Sequence, residues 1–124
     1  MSDEQAIKTT IQTYLECMHE SSGEKVHAAF HPDAKITGEI EGELHAMSVP
    51  EFAGFVESQQ PSPKEKGESE RLDVVSLDTA GKTAVARVRV DYLGMTFLDT
   101  LSFLKTDDQW RIYNKLFHVE SSSN

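Results

Sequence analysis

The first half of the chain places its hydrophobic residues at the spacing of amphipathic helices. This pattern predicts a first helix from about Asp3 to about Glu20, with a capping box at Ser2. The apolar face of that helix consists of Ile7, Ile11, Tyr14, Leu15 and Met18. A short second helix follows Gly23 and must end by His31, because the proline after His31 disfavours helical geometry there.

A third helix and two less regular segments complete this half. Ser48 begins a second capping box, and the short helix that follows carries Phe52 and Phe55 on its apolar side. Between helices two and three, Ala34 to Met47 contains two glycines and scattered aliphatic residues, which favours short, irregular strands. Glu57 to Ser69 carries no large apolar side chain and predicts an exposed, mobile loop, with a lid over a pocket as the alternative.

From Arg71 onward the pattern alternates with a period of two and predicts an antiparallel meander of four strands. The predicted strands are Leu72 to Leu77, Thr83 to Tyr92, Met95 to Lys105 and Gln109 to Val119. A two-residue turn at Leu93 and Gly94 fixes the register of the middle pair. It sets Tyr92 opposite Met95, Val90 opposite Phe97, Val88 opposite Asp99, Ala86 opposite Leu101 and Ala84 opposite Phe103. We expect one domain over residues 1–120 and a frayed tail over residues 121–124.

Asp99 is the one charged residue on the apolar face of this predicted strand pair. An ionised carboxylate is costly in an apolar wall, so a buried one is paired, protonated or open to a cavity. Asp99 is therefore the first candidate for a functional site. The reverse face is mostly polar but has enough aliphatic area for a homodimer contact.

The composition of the chain limits the classes of partner that the protein can bind. The 124 residues carry 12 Lys plus Arg against 21 Asp plus Glu, a net charge of -9 that repels nucleic acid and anionic lipid. No apolar run approaches the roughly 18 residues of a membrane-spanning helix, and the N-terminus does not resemble a secretory signal, so we expect a cytoplasmic protein. The one cysteine, Cys17, excludes an internal disulfide and is expected to be a partly buried helix residue. We expect no cofactor.

The order of these elements resembles the nuclear transport factor 2-like superfamily. Three phrases carry the resemblance: Ile11 to Tyr14, Ala29 to Ala34 and Gln109 to Leu116. Within the superfamily the chain looks most like small bacterial proteins labelled ketosteroid-isomerase-like or putative lumazine-binding. The resemblance implies an α+β fold in which a curved mixed or antiparallel sheet wraps three N-terminal helices into a cone with a cavity, a cystatin-like roll.

The resemblance to ketosteroid isomerase implies roles for particular residues. That enzyme stabilises an enolate with a tyrosine and a neutral aspartic acid, while a second aspartate moves the proton. Tyr14 and Asp99 match the first two, which makes them candidate catalytic residues. Gly38 stands where the proton-moving carboxylate belongs, and Glu39 or Glu41 replaces it only if the strand turns one of them inward. Otherwise both are solvated charges on a surface hairpin.

Two further predictions depend on the register of the last strand and on the spacing of two histidines. A three-residue turn after Lys105 brings Arg111, Tyr113, Lys115 and Phe117 inward, as the resemblance favours, whereas another turn length brings Ile112, Asn114, Leu116 and His118 inward. In the first case Lys115 faces Asp99, attraction keeps both charged, and the aspartate argues against Schiff-base chemistry at the lysine.

His27 and His31 have a metal-ligand spacing, but the pattern lacks other ligands and no metal site is expected; His31 is expected at the cavity rim.

These observations predict a protein that binds a mainly apolar or aromatic small molecule carrying a polar group. An enzyme of isomerase, cyclase or dehydratase type, using Tyr14 and Asp99 as an oxyanion site, is the first alternative. A non-catalytic dimeric scaffold is the second, and it predicts a filled cone. The predicted cavity residues are Tyr14, Phe30, His31, Phe52, Phe55, Val88, Val90, Phe97, Asp99, Leu101, Tyr113, Lys115 and Phe117.

Overall fold

A computed structural model describes residues 2–122, which form three helices and six strands. The helices are α1 (Asp3–His19), α2 (Gly23–Ala29) and α3 (Val49–Glu57). The strands are β1 (Phe30–Ile40), β2 (Glu43–Ser48), β3 (Leu72–Ala80), β4 (Thr83–Tyr92), β5 (Met95–Thr106) and β6 (Gln109–Ser122). The α+β class and the element order predicted from the sequence are confirmed. Among these residues no helix is both long and apolar enough to cross a membrane.

The strands form one curved, unclosed sheet in the order β2-β1-β6-β5-β4-β3. β1 and β6 pair in parallel, and every other neighbouring pair is antiparallel. The helices lie on the concave side, where Ile7 and Ile11 of α1 and Val56 of α3 are buried with the inward residues of the sheet. The result is a cone whose narrow part is a hydrophobic core.

The register predicted for β4 and β5 is confirmed at every position. Leu93 and Gly94 both have positive φ angles, 53° and 75°. Two consecutive left-handed residues form the turn whose twist matches that of an antiparallel hairpin. Because this turn has two residues, Val88 stands opposite Asp99 and both side chains face the helices.

The segment after helix two is more regular than the sequence predicts. The second helix ends at Ala29, and β1 begins at Phe30 and continues without a break through Pro32 to Ile40. β1 is longer than predicted because it has hydrogen-bonded neighbours on both sides, which outweighs the low strand preference of its glycine. The predicted irregularity is present between Phe30 and Lys35, where the pairing with β6 shifts register. Pro32 lies where the pairing with β6 is interrupted, so its missing N–H removes no bond from that ladder.

Two predicted flexible segments are partly ordered by contacts. In the loop after α3, Ser62 is only 3% exposed, and the N–H of Lys64 donates to the carbonyl of His19 at 2.9 Å. The loop therefore packs against the end of α1. The predicted tail begins too early, because Ser121 and Ser122 pair with Thr96 and Met95 as the end of β6. Residues 123–124 lie outside the described part of the chain.

Candidate functional site: a cavity with a lysine in its floor

The wide end of the cone contains a cavity of about 200 Å³ between helices α1 and α3 and the concave side of the sheet. Its wall is apolar apart from four side chains that carry polar atoms. The lining residues are Tyr14, Met18, Ile36, Ile40, His45, Met47, Phe52, Phe55, Val90, Tyr92, Leu93, Met95, Phe97, Lys115 and Phe117. An open cavity contradicts the filled cone that the scaffold hypothesis predicts.

Exposure falls from the mouth of the cavity to its floor. Phe55 is 38% exposed, and Met47 and Met95 are half-buried, so these residues lie at the mouth. Lys115 and Tyr14 are 6% and 0% exposed and lie deepest. A ligand that enters therefore passes flexible methionine and phenylalanine side chains before it meets an ionisable group.

Lys115 points inward because β6 contains a bulge. Asn114 stands opposite Ser102 and Ile112 stands opposite Phe103, so Tyr113 is the extra residue. Before the bulge Ile112 faces the core, and after it the alternation changes and Lys115 faces the cavity. Neither register considered for the whole strand is therefore correct. The turn after β5 has two residues, Asp107 and Asp108, rather than three.

The ammonium group of Lys115 lies among aromatic rings and not against a carboxylate. Its Nζ is 4.6 Å from the ring centre of Phe52, 4.8 Å from that of Tyr14 and 5.7 Å from that of Phe117. Among residues 2–122 it has no ion-pair partner within 4.0 Å. Lys115 pairs in register with Leu101, whereas Phe117 is the residue opposite Asp99. The predicted ion pair between Asp99 and Lys115 is therefore wrong.

Asp99 lies behind Tyr14 and outside the cavity wall. It is 0% exposed, and its Oδ2 accepts a hydrogen bond from the Tyr14 hydroxyl at 2.5 Å. Its Oδ1 has no partner among the described residues. Asp99 can thus reach a ligand only through Tyr14, which is not the direct anchoring role that the sequence suggests.

Burial controls the ionisation of this group of side chains. It raises the pKa of Asp99, and the positive charge of Lys115 and the Tyr14 hydrogen bond oppose it only in part. Burial also lowers the pKa of Lys115, with Asp99 opposing, and raises that of Tyr14 well above its ordinary value. Since no close ion pair compensates, both Asp99 and Lys115 are driven toward their neutral forms. These directions are opposite to those that a close ion pair would give.

The remaining predicted cavity residues divide into three groups. Phe52, Phe55, Val90, Phe97 and Phe117 line the cavity. Phe30, Val88 and Leu101 are buried in the core below it and do not line it. Phe30 makes edge contacts with the rings of Tyr14 and Phe52, so it supports the floor.

His31 and Tyr113 lie away from the cavity. Tyr113 is 42% exposed at the bulge, and its ring contacts the ring of His31 with centres 5.1 Å apart. His31 is on β1, not in helix two, and its Nδ1 accepts a hydrogen bond from the N–H of Asp33. The sequence predicts an inward Tyr113 because the bulge has no clear signature in the residue pattern. It predicts His31 at the end of helix two, whereas the helix ends at Ala29 and His31 belongs to β1.

Several lining residues were not predicted. His45 stands opposite Gly38 in the pairing of β1 with β2, so it shares the inward face. Tyr92 also lines the cavity, and its hydroxyl has no partner among the described residues. A regular alternating pattern along β1 and β2 would have identified Ile36, Ile40 and His45. The segment gives no such signal, because glycines at 38 and 42 interrupt the hydrophobic pattern.

The two alternative carboxylates are outside the cavity. Glu39 is exposed on the outward side of β1, and Glu41 lies in the tight turn with a φ of 52°. Both are solvated charges, as the simpler interpretation predicts. Cys17 is buried, and this burial raises the pKa of its thiol to about 12, so it is not a reactive thiolate.

Comparisons with known proteins agree with this fold. A nuclear transport factor 2-like protein from Silicibacter pomeroyi DSS-3 is similar over 97% of this chain and 100% of its own, with 24% identity and a TM-score of 0.85. One from Methylobacillus flagellatus KT is 26% identical over 98% of this chain and 96% of its own, with a TM-score of 0.83. The structures of both are described as of unknown function.

Two comparisons of sequence extend over almost the whole chain. The chain is 27% identical over 117 residues to a protein named aldolase FrzH from Cladobotryum sp, which covers 94% of this chain and 91% of that protein. The family description "putative lumazine-binding" matches residues 2–118. This match includes every helix and all lining residues of the cavity, and the chain therefore belongs to the putative lumazine-binding family of the nuclear transport factor 2-like superfamily.

Proposed function

We propose that the protein binds a small, mainly apolar or aromatic molecule in the cavity, with one polar group of that molecule directed at Lys115. The observation that carries the proposal is the contrast between an apolar wall and a single buried amine at the floor. Pockets for small molecules combine apolar walls with a few polar groups that fix orientation. Lys115 supplies such a group, because its Nζ has no competing acceptor among residues 2–122.

The cavity favours a ligand less polar than lumazine itself. Lumazine carries ring nitrogens and carbonyl oxygens around its edge, and a buried polar atom without a partner costs about 1–3 kcal/mol. The side chains that can meet such atoms are Tyr14, His45, Tyr92 and Lys115, whereas Met18, Ile36, Val90 and their neighbours cannot. An aromatic ring with a single carbonyl or anionic group fits these partners better.

The test is fluorescence titration with two naphthalene probes, one with a carboxylate and one with no polar group. Met95→Trp at the mouth should weaken binding of both, because the larger side chain narrows the entrance. Leu98→Trp is the matched control, since residue 98 is on the outward face of the same strand. The proposal is rejected if neither probe binds or if the two variants have the same effect.

A second candidate function is catalysis on a carbonyl compound. Two observations favour it: the Tyr14–Asp99 hydrogen bond beside the cavity, and the similarity to a protein named an aldolase. A neutral Asp99 can donate to the Tyr14 oxygen, which frees the Tyr14 O–H to donate to a developing oxyanion. Isomerisation in the manner of ketosteroid isomerase is less well supported, because residue 38 has no carboxylate.

This second candidate is tested with a fluorogenic aromatic β-hydroxyketone, which releases a naphthaldehyde and a ketone on retro-aldol cleavage. Tyr14→Phe and Asp99→Asn should each lower the rate by roughly 10²-fold or more, a loss typical for removal of an oxyanion donor. If cleavage is unchanged in both variants, or absent in the unaltered protein, the assignment fails.

Partners and location complete the proposal. The outward face carries Val85 and Leu116, 42% and 49% exposed, and we propose that it forms a homodimer contact. The buried free thiol of Cys17 is consistent with a reducing, cytoplasmic location. The net charge of -9 supports the absence of a nucleic-acid partner.

A further inference from the structure

The position of Lys115 in the cavity floor has a consequence beyond ligand binding. Its Nζ lies in the floor of an apolar cavity and has no acceptor within ion-pair distance among residues 2–122. The rings of Phe52 and Tyr14 contact the amine, with 4.6 and 4.8 Å from Nζ to the ring centres. A molecule that fills the cavity therefore meets an amine that has no close carboxylate partner.

We propose that Lys115 condenses with an aldehyde or ketone bound in the cavity and forms a Schiff base. This inference rests on the proposed binding function and names its ligand class, aromatic or aliphatic carbonyl compounds.

The reaction balances with the groups that the cavity supplies. The Nζ lone pair attacks the carbonyl carbon, the carbon–oxygen π electrons move to oxygen, and a proton passes from nitrogen to oxygen to give a carbinolamine. The hydroxyl group then leaves with a second proton as water, and a C=N double bond remains. Tyr14, whose ring contacts the amine and whose O–H is bonded to Asp99, can transfer these protons. No oxidant or metal is needed.

Two features of the site favour this chemistry. A nucleophilic lysine must be unprotonated, and burial in an apolar pocket lowers the pKa of Lys115 in that direction. The protonated Schiff base that follows is a cation, and the faces of Phe52, Tyr14 and Phe117 stabilise a cation at that position. Asp99 raises the pKa of Lys115, but without a close ion pair its effect is smaller than that of burial.

The test uses a pair of probes that differ only in the reacting group, 6-methoxy-2-naphthaldehyde and the corresponding alcohol. Both should bind the cavity, but only the aldehyde should become covalently attached when borohydride is added. Hydride adds to the imine carbon and water supplies the proton to nitrogen, so the protein gains the mass of the aldehyde less one oxygen atom. Peptide mapping should place this adduct on Lys115.

Lys115→Arg replaces the amine by a guanidinium that does not condense, and Lys115→Met is a second variant in case the larger arginine side chain disturbs folding. Both should lose the adduct, and the alcohol should still bind the apolar wall, with an affinity lowered by the loss of its polar contact with the amine. Lys35→Met is the matched control, because Lys35 is an exposed lysine on the neighbouring strand, and it should keep the adduct. An adduct spread over surface lysines, or no adduct while the alcohol still binds, overturns the Schiff base alone. Failure of both probes to bind overturns the proposed function together with it.

Discussion

The ring of Phe117 covers Gly38 on the neighbouring strand. The two residues are partners in the parallel pairing of β1 with β6, and a Cβ atom built on Gly38 would overlap the Phe117 ring. Gly38 is therefore required by packing. An aromatic ring therefore occupies the space that any side chain at residue 38 would need.

This contact predicts a coupled effect on stability. Gly38→Ala should lower the free energy of unfolding by about 1–3 kcal/mol, because the methyl group forces Phe117 from its position. In a Phe117→Leu background the same change should cost less, with a coupling of about 0.5–3 kcal/mol in a double-mutant cycle measured by chemical denaturation.

Gly54→Ala is the control for this cycle. A Cβ at Gly54 meets nothing within 4 Å, and the residue is in helix α3, so alanine should stabilise by roughly 0.5–1 kcal/mol. Equal costs for Gly38→Ala in both backgrounds would show that Phe117 does not restrict residue 38.

The sequence predicts those parts of the fold that depend on strong periodicity. The β4–β5 register follows from alternation and a two-residue turn, and it places Asp99 correctly on the inward face. The bulge at Tyr113 cannot be predicted in this way, because one inserted residue leaves both halves of β6 with a normal alternating pattern. With the two-residue turn alone Lys115 would stand opposite Thr100 on the outward face, and the bulge moves it opposite Leu101 on the inward face.

The sequence predicts the candidate site less completely than the fold, because it does not give the pairing and the distances between neighbouring elements. Tyr14, Lys115 and the phenylalanines at 52, 55, 97 and 117 are recognisable as inward residues, and the structure places them in the wall. Their ionisation depends on distances of a few ångström between strands and helix, which sequence alone does not give. His45 was missed because its inward direction depends on pairing with Gly38.

Asp99→Asn should stabilise the protein, and more so as the pH rises. Burial raises the folded-state pKa of Asp99 above the unfolded value of 3.8. The contribution of this carboxyl group to the free energy of unfolding is therefore largest below pH 3.8 and is lost as the pH rises. Asparagine keeps an oxygen for the Tyr14 hydroxyl and removes the charge. We expect a gain on the order of 1 kcal/mol at pH 8 and little gain at pH 3, from thermal unfolding across this range. A gain that is independent of pH would contradict a raised pKa.

Lys115→Met should show the opposite slope. Burial lowers the folded-state pKa of Lys115 below the unfolded value of 10.5. The contribution of the lysine to the free energy of unfolding is therefore largest above pH 10.5 and is lost as the pH falls. The stabilisation by methionine should therefore grow from pH 10 to pH 6 and reach on the order of 1 kcal/mol. Lys82→Met, which alters an exposed lysine in a turn, should change stability little at either pH. A larger gain at pH 10 than at pH 6 would show that the Lys115 ammonium is stabilised in the folded state.

The proposed dimer is tested by a charge on the outward face of the sheet. Leu116 is 49% exposed on that face, and a glutamate there would be desolvated in a symmetric contact, where it would also lie near its own copy. Leu116→Glu should shift sedimentation equilibrium from dimer to monomer, with an affinity loss of about 2 kcal/mol or more if the residue is central to the contact.

Val74→Glu is the matched control, because Val74 is 39% exposed on the edge strand and shares the inward face with its partner Val88. The control should leave the dimer intact, since its side chain does not reach the outward face. If the unaltered protein is monomeric, or if both glutamates weaken association equally, the outward face of the sheet is not the dimer contact.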